Sequence, residues 1–111
     1  MIPLSLTARE QYFELIRHYL EREREEAVNR LISALEEARR LIGEGYVNAV
    51  DHPSVYGGLA RDGVKWVKCH RYWFAFTLDE PVIFNILWDA ADIVRRVAPP
   101  PGGTPSAPET E

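Results

Sequence analysis

A short stretch near the middle of the chain concentrates the residues that could do chemistry. Residues 64–76, VKWVKCHRYWFAF, combine four basic or imidazole side chains with five aromatic ones. The candidates for proton transfer or phosphate binding are Lys65, Lys68, His70 and Arg71. Such a group could hold or cut nucleic acid, because cations bind phosphate and an imidazole or amine can take a proton. The alternative is a pair of strands whose charged residues only face water.

The composition limits the first interpretation. The 111 residues carry 13 basic and 17 acidic side chains, so the net charge is −4 and no global positive field draws the protein onto a polyanion. Any contact with nucleic acid must therefore be local. The amino terminus lacks the features of a secretion signal, and no stretch approaches the roughly 18 apolar residues of a membrane span. We expect one soluble cytoplasmic domain, residues 1–97, and a disordered proline-rich tail, residues 98–111.

The elements that must position these residues begin with a short edge strand and a helix. The strand is predicted in residues 1–6, MIPLSL. Thr7 and Glu10 have the spacing of a capping box, so the helix should begin at Ala8. Apolar residues recur at helical spacing from there to Leu20, which gives this helix one face for a core.

A second helix is predicted from Ala27 to Ile42, with Gly43 placed to end it as a C-cap. Residues 21–26 alternate in charge sign, which suits a solvated turn. Two helices of similar length with a short connection favour an antiparallel hairpin. Residues 43–62 contain four glycines and are interpreted as a connecting segment.

From Gly63 the pattern changes to period two and to residue types that favour strands. The register that keeps apolar residues on one face makes residues 79–81 a three-residue loop. The resulting pairs are Leu78–Val82, Phe76–Phe84, Phe74–Ile86 and Tyr72–Trp88. The fold class predicted from these elements is α+β, with a helical hairpin packed on a three- to four-stranded, mostly antiparallel sheet.

The requirement that apolar residues share one face also makes residues 68–70 the connection between the first two strands of the sheet. Trp66 would then lie opposite Tyr72, and Val64 opposite Phe74, on the face that the helices cover.

The other face would stay open. There Lys65 is expected across from Trp73, and Arg71 across from Asp89. The same face would carry Ile83 and Leu87, which is more apolar surface than a soluble monomer normally leaves wet. A partner is therefore expected to dock on it.

The order of these elements resembles the RelE/ParE superfamily of toxins from bacterial type II toxin–antitoxin systems. The likeness covers roughly residues 2–97 and lies in the helical hairpin, residues 6–42, and in the sheet segment, residues 52–93. Within the hairpin Tyr19 lies near the end of the first helix and Ala27 opens the second. Residues 70–74, HRYWF, match a strand of the family in type, and Asp92 stands where many members have an aspartate.

The resemblance implies one of two activities. RelE-like members are ribonucleases that cut mRNA in the ribosome; here Lys65 or His70 would be the base, while Lys68 and Arg71 would hold phosphate. ParE-like members bind and inhibit DNA gyrase without chemistry of their own. The net negative charge and the acidic end of the last strand, Asp89, favour the ParE-like activity.

Either activity implies a cognate antitoxin and a toxin–antitoxin hetero-oligomer, with no cofactor, metal or membrane. Binding of the antitoxin or the target is expected at the open face. The residues expected to contribute are Lys65, Arg71, Trp73, Ile83 and Leu87. A binding module of the same fold without toxicity remains a further alternative.

Overall fold

The computed structural model describes residues 1–45, 49–53, 56–89 and 96–100. Two helices, α1 (Leu6–Glu21) and α2 (Glu25–Gly43), form a hairpin that packs on a three-stranded antiparallel sheet. The strands are β1 (Val64–Cys69), β2 (Tyr72–Thr77) and β3 (Ile83–Trp88), in the spatial order β1-β2-β3, and a 3-10 helix spans Gly57–Leu59. The predicted α+β class is confirmed. No helix in these ranges is long and apolar enough to cross a membrane.

The chain enters α1 directly from the edge of the sheet. Leu4 forms a parallel bridge with Ile83, whose N–H donates to the Pro3 carbonyl at 3.0 Å and whose carbonyl accepts from the Ser5 N–H at 2.8 Å. Residues 3–5 therefore pair with the outer edge of β3, where the sequence predicted a short edge strand.

The predicted start of α1 is wrong by two residues. Ser5, not Thr7, is the N-cap, and its hydroxyl accepts a hydrogen bond from the Ala8 N–H at 3.1 Å. Because the bond to β3 holds Ser5 in an extended conformation, the helix begins at the next residue.

The charged connection between the helices is confirmed, since α1 ends at Glu21 and α2 begins at Glu25. The predicted C-cap of α2 is wrong. Gly43 is still helical, and the cap is Glu44, whose N–H donates to the Arg40 carbonyl at 3.0 Å. Gly45 then takes the left-handed conformation, with φ of 105°, that turns the chain away from the helix.

The register between β2 and β3 is partly as predicted. Tyr72 pairs with Trp88 and Phe74 with Ile86. Beyond them a β-bulge shifts the ladder, so Phe76 pairs with Ile83 rather than Phe84, and Thr77 rather than Leu78 binds Val82. A bulge sets two residues of one strand against one of the other, which alternation alone does not reveal.

The predicted register between β1 and β2 is wrong. The connection is the two-residue turn His70–Arg71, so Cys69 pairs with Tyr72 and Trp66 with Ala75. His70 has φ of 57°, a left-handed conformation that histidine adopts more readily than most residues. The difference from the predicted register is an odd number of residues, which moves every side chain of β1 to the opposite face.

The sheet is consequently buried on both faces. The helices cover the first face, which carries Val67, Cys69, Phe74 and Ile83 among others. The second face forms its own cluster. Its buried members are Val64, Trp66, Trp73, Ala75, Phe84 and Leu87.

Two parts of the chain outside the sheet cover this second face. Tyr56 and Leu59 from the connecting segment pack on it, and Val97 packs on it from the carboxyl-terminal side. The connecting segment is also tied to the outer edge of β1, where Val50 and Trp66 exchange two backbone hydrogen bonds of 2.7 Å. The prediction that this face is open is therefore wrong.

Candidate functional site

The carboxylate of Asp89 organises the polar groups at one end of the sheet. It accepts hydrogen bonds from the indole N–H of Trp73 at 2.7 Å and from the ammonium of Lys68 at 3.1 Å. The Lys68 ammonium also lies 5.8 Å from the centroid of the Trp73 ring. We call these three residues the Asp89 network.

The register of the sheet explains why these residues meet. Lys68 on β1 pairs with Trp73 on β2, and Trp73 pairs with Leu87 on β3, so all three lie side by side on the second face. Asp89 follows Leu87 by two residues just beyond the end of β3. The sequence-based prediction instead placed Lys65 opposite Trp73; Lys65 pairs with Phe76.

Trp73 and Lys68 stabilise the ionised form of the Asp89 side chain. The hydrogen bond from Trp73 lowers the pKa of the Asp89 carboxyl below its ordinary value, and Lys68 lowers it further, against the smaller opposing effect of burial. The carboxylate therefore stays ionised at neutral pH and offsets the charge of Lys68. Because the Lys68 ammonium already pairs with a carboxylate, it is poorly suited to bind phosphate.

Lys65 is held by a different carboxylate. Its ammonium forms an ion pair with Asp51 of the connecting segment, and this pairing lowers the pKa of Asp51. Lys65 and Asp51 line an open cleft of about 490 Å³, together with His52 and Trp73. Nothing in the sequence pattern indicated Asp51, because the connecting segment lacks the periodicity from which an edge pairing could be inferred.

His70 and Arg71 form the exposed turn between β1 and β2. The carbonyl of Arg71 accepts the Asp89 N–H at 2.8 Å, so the two residues are neighbours as predicted. The contact is through the backbone, however, and the carboxylate of Asp89 binds Lys68 instead. In the described part of the chain the Arg71 guanidinium forms no ion pair.

His70 lies close enough to α2 to influence Glu37. The pKa of Glu37 on α2 is lowered first by its hydrogen bond from Arg40 and to a smaller extent by the charge of His70. Lys68, by contrast, takes part in the Asp89 network on the second face. The four residues predicted for a ribonuclease site therefore do not converge on one point.

The residues predicted for partner binding are separated in a similar way. Trp73, Ile83 and Leu87 are all buried, and Ile83 lies in the cluster under the helices, so its predicted place on an open face is wrong. Arg71 remains exposed. Asp92, which carried part of the family resemblance, lies outside the described residues, as do residues 101–111 of the predicted tail.

Trp88 is an exposed aromatic residue beside this turn, so the prediction that it lies in the core with Tyr72 is wrong. It is 43% exposed, and it pairs with Tyr72, the first residue after the turn. Tryptophan and arginine are enriched in protein interfaces, and here the exposed Trp88 lies next to the turn that carries Arg71. We call His70, Arg71 and Trp88 the turn surface.

The other feature that the sequence did not predict is a cavity of about 310 Å³ on the second face. It is lined by Leu59, Arg61, Trp66 and Phe84 and, from the carboxyl-terminal side, by Pro99 and its neighbours. The Arg61 guanidinium is occupied with the carbonyls of Gly58 and Ala60, at 3.1 and 3.0 Å. The cavity therefore offers mainly apolar surface and no evident catalytic group.

Taken together, the described residues provide a charged and aromatic surface for binding but no general base close to two free cations. Comparison of the chain with protein-family models, with curated proteins and with solved structures finds no match in any of the three.

Proposed function

We propose that the protein is the toxin of a bacterial type II toxin–antitoxin system, that it acts in the cytoplasm, and that it is ParE-like. It would bind and inhibit DNA gyrase, and a cognate antitoxin would neutralise it. The order of elements supports this assignment, because a short edge strand and a helical hairpin precede three antiparallel strands. This is the order that suggested the RelE/ParE resemblance from the sequence.

The observation that favours the ParE-like activity over the RelE-like one is that Lys65 and Lys68 both form ion pairs with carboxylates. Lys68 is bound to Asp89, and Lys65 is bound to Asp51, so each lysine pairs with a carboxylate of its own. Cleavage of RNA through its 2′-hydroxyl requires a base and cations that stabilise the charged phosphorus centre. Two cations that already pair with carboxylates in different places serve this purpose poorly, whereas inhibition by binding does not need them.

The turn surface is the best candidate for contact with the target. It combines a guanidinium that forms no ion pair among the described residues, an imidazole and an exposed indole at one end of the sheet. The second face of the sheet is a weaker candidate than the sequence suggested, because the connecting segment and Val97 already pack on it.

The first experiment is expression in a bacterium without any neighbouring gene. Growth arrest with a DNA-damage response, together with gyrase-dependent cleavage of plasmid by the purified protein, is the expected result. Codon-associated cutting of mRNA without DNA damage would instead assign the RelE-like activity. Unaffected growth would contradict both and would leave a binding module without toxicity.

Matched variants locate the active surface. Arg71→Glu should abolish gyrase inhibition. Arg61→Glu is its control, because it makes the same change of charge at the opposite end of β1, away from the turn surface. Lys65→Ala combined with Lys68→Ala should leave toxicity intact. Loss of toxicity in that double variant, with the circular dichroism spectrum unchanged, would contradict the proposed mechanism and favour the ribonuclease.

A further inference from the structure

Helix α1 carries a second apolar stripe on the side that faces away from the core. Leu6, Phe13 and Leu20 are 69%, 57% and 56% exposed. Their spacing of seven residues falls about 20° short of two full helical turns, so the three side chains lie within about 40° of arc. Ala8 and Tyr19, which α1 buries, lie about 140° and about 120° around the helix from Phe13. We call Leu6, Phe13 and Leu20 the outer stripe.

Exposed apolar residues are common when they are scattered, but a line of three along the whole of one helix is not scattering. None of the described elements packs on this side of α1: the contacts of α1 with α2 and β3 involve its inner face. The outer stripe is therefore a surface without a partner in the described part of the molecule.

The arrangement of the stripe is symmetric about its middle residue. Leu6 and Leu20 are each seven residues from Phe13. When two such helices pack antiparallel about a two-fold axis at Phe13, Phe13 meets Phe13 of the second copy. Leu6 of each copy then meets Leu20 of the other, so the stripe is complementary to itself.

The charges beside the stripe are complementary in the same arrangement. Glu10 and Arg17 flank the same side of the stripe, and a two-fold axis perpendicular to antiparallel helices brings that side of one copy against the same side of the other. Glu10 lies three residues before Phe13 and Arg17 four residues after it, so Glu10 of each copy comes level with Arg17 of the other. Neither side chain forms an ion pair within the described residues.

We propose that the protein forms a homodimer in which the α1 helices of two copies pack antiparallel along the outer stripe, with two reciprocal Glu10–Arg17 ion pairs. Antiparallel packing also opposes the two helix dipoles. One helix per copy forms a small interface, so the dimer is weak and depends on protein concentration. The inference rests on α1 alone and does not depend on the proposed function.

Sedimentation equilibrium over a range of protein concentrations tests the dimer. The apparent mass of the full chain should rise from 12.7 kDa toward twice that value. Phe13→Asp should remain monomeric throughout, because it places two carboxylates at the two-fold axis. Val50→Asp, which changes an exposed apolar residue on the connecting segment, is the matched control and should dimerise like the wild type. A wild-type protein that stays monomeric up to about 1 mM would overturn the proposal.

Charge reversal tests the ion pairs and the direction of packing. Glu10→Arg alone and Arg17→Glu alone should each weaken dimerisation about tenfold, because attraction becomes repulsion at two exposed pairs. The combined variant should recover the wild-type affinity. In a parallel dimer Glu10 would face Arg9 instead, and the second reversal would restore nothing, so failure of the rescue would overturn the antiparallel arrangement.

Disulfide trapping gives an independent measure of direction. Leu6→Cys and Leu20→Cys are made separately in a Cys69→Ala background, and the two proteins are mixed under mild oxidation. The expected product is a crosslink between the two different variants. Crosslinks that form instead within each variant alone would show parallel helices and would overturn the proposal.

Discussion

The hydroxyl groups of Tyr19 and Tyr72 hydrogen-bond to each other at 2.5 Å inside the core and join α1 to β2. The two side chains are only 9% and 4% exposed. Burial raises the pKa of Tyr72, and the hydrogen bond with Tyr19 raises it further, so the hydroxyl remains protonated at neutral pH. Two phenols that would each be costly to bury alone satisfy one another across the interface of the hairpin and the sheet.

Removal of one hydroxyl should cost more than the value of an average hydrogen bond. Tyr72→Phe leaves the Tyr19 hydroxyl buried without this partner, and we expect a loss of about 1–3 kcal/mol in the free energy of unfolding. The double variant with Tyr19→Phe should lose less than the sum of the two single variants, because no orphaned hydroxyl remains. Urea unfolding of the four proteins measures this coupling, and strictly additive losses would contradict it.

The helical part of the fold could be predicted because its signals are local. The apolar stripes of the two helices and the charged connection between them need only the period of an α-helix. Leu20, which the predicted stripe of α1 included in the core face, is instead 56% exposed. The cap was misplaced because Ser5 and Thr7 are both good N-cap residues, and the choice depends on a long-range bond from Ser5 to Ile83.

The sheet was harder to predict, because the alternation of apolar and polar residues does not determine the register of its strands. β1 has apolar residues on both faces, so either register buries a plausible set, and the positive φ at His70 decides between them. The predicted site was wrong for the same reason, since it was placed from the wrong register of β1. Because Trp66 and Val64 moved to the second face, a surface expected to be open became a second core, and Lys65 paired with Asp51 in a segment that carries no periodic signal.

Asn85 should be essential for the carboxyl-terminal side of this second core. The side chain is fully buried; it donates to the Ala98 carbonyl at 3.0 Å and accepts from the Ala98 N–H at 2.8 Å. It also accepts from Gln11 of α1 at 3.2 Å. Asn85→Leu would leave the Ala98 backbone groups unpaired, and we expect a loss of about 2–4 kcal/mol in the free energy of unfolding.

Hydrogen exchange distinguishes the loss of this contact from general destabilisation. The Ala98 amide should become unprotected in Asn85→Leu, while the amides of β2 around Phe74 keep protection in proportion to the global stability. A variant in which the Ala98 amide stays protected would show that Asn85 does not hold this segment. Thr77→Val is the matched control, since it also removes two hydrogen bonds to backbone groups, those to the Glu80 carbonyl and the Val82 N–H, and leaves both bonds to Ala98.

The Asp89 network should make stability depend on pH in the acid range. The pKa of Asp89 is lowered in the folded state by Trp73 and Lys68, so its contribution is complete above the unfolded value near 3.8 and is lost as the pH falls through the lower folded value. Asp89→Asn should be less stable than the wild type at pH 7, and the difference should shrink toward zero at pH values well below 3.8.

Thermal unfolding followed by tryptophan fluorescence measures this difference, because Trp73 is itself a partner of the carboxylate. Asp79→Asn serves as the control, since Asp79 lies in the loop between β2 and β3 and forms no ion pair in the described part of the chain. A stability difference for Asp89→Asn that is the same at pH 7 and at low pH would contradict an ionic role.

Cys69 should be almost inert in the folded protein although it is a free thiol. Burial raises its pKa to about 11, and the nearby Glu37 carboxylate adds to the effect. Because the thiolate is the reactive form, the raised pKa lowers its fraction at pH 8 about hundredfold relative to a pKa of 9.0. Labelling with iodoacetamide at pH 8 should therefore be at least about hundredfold slower in buffer than in denaturing urea, and it should accelerate as the pH approaches 11. Cys69→Ala gives the background of the assay, and equal rates in buffer and in urea would show that the β1 end of the core opens rapidly.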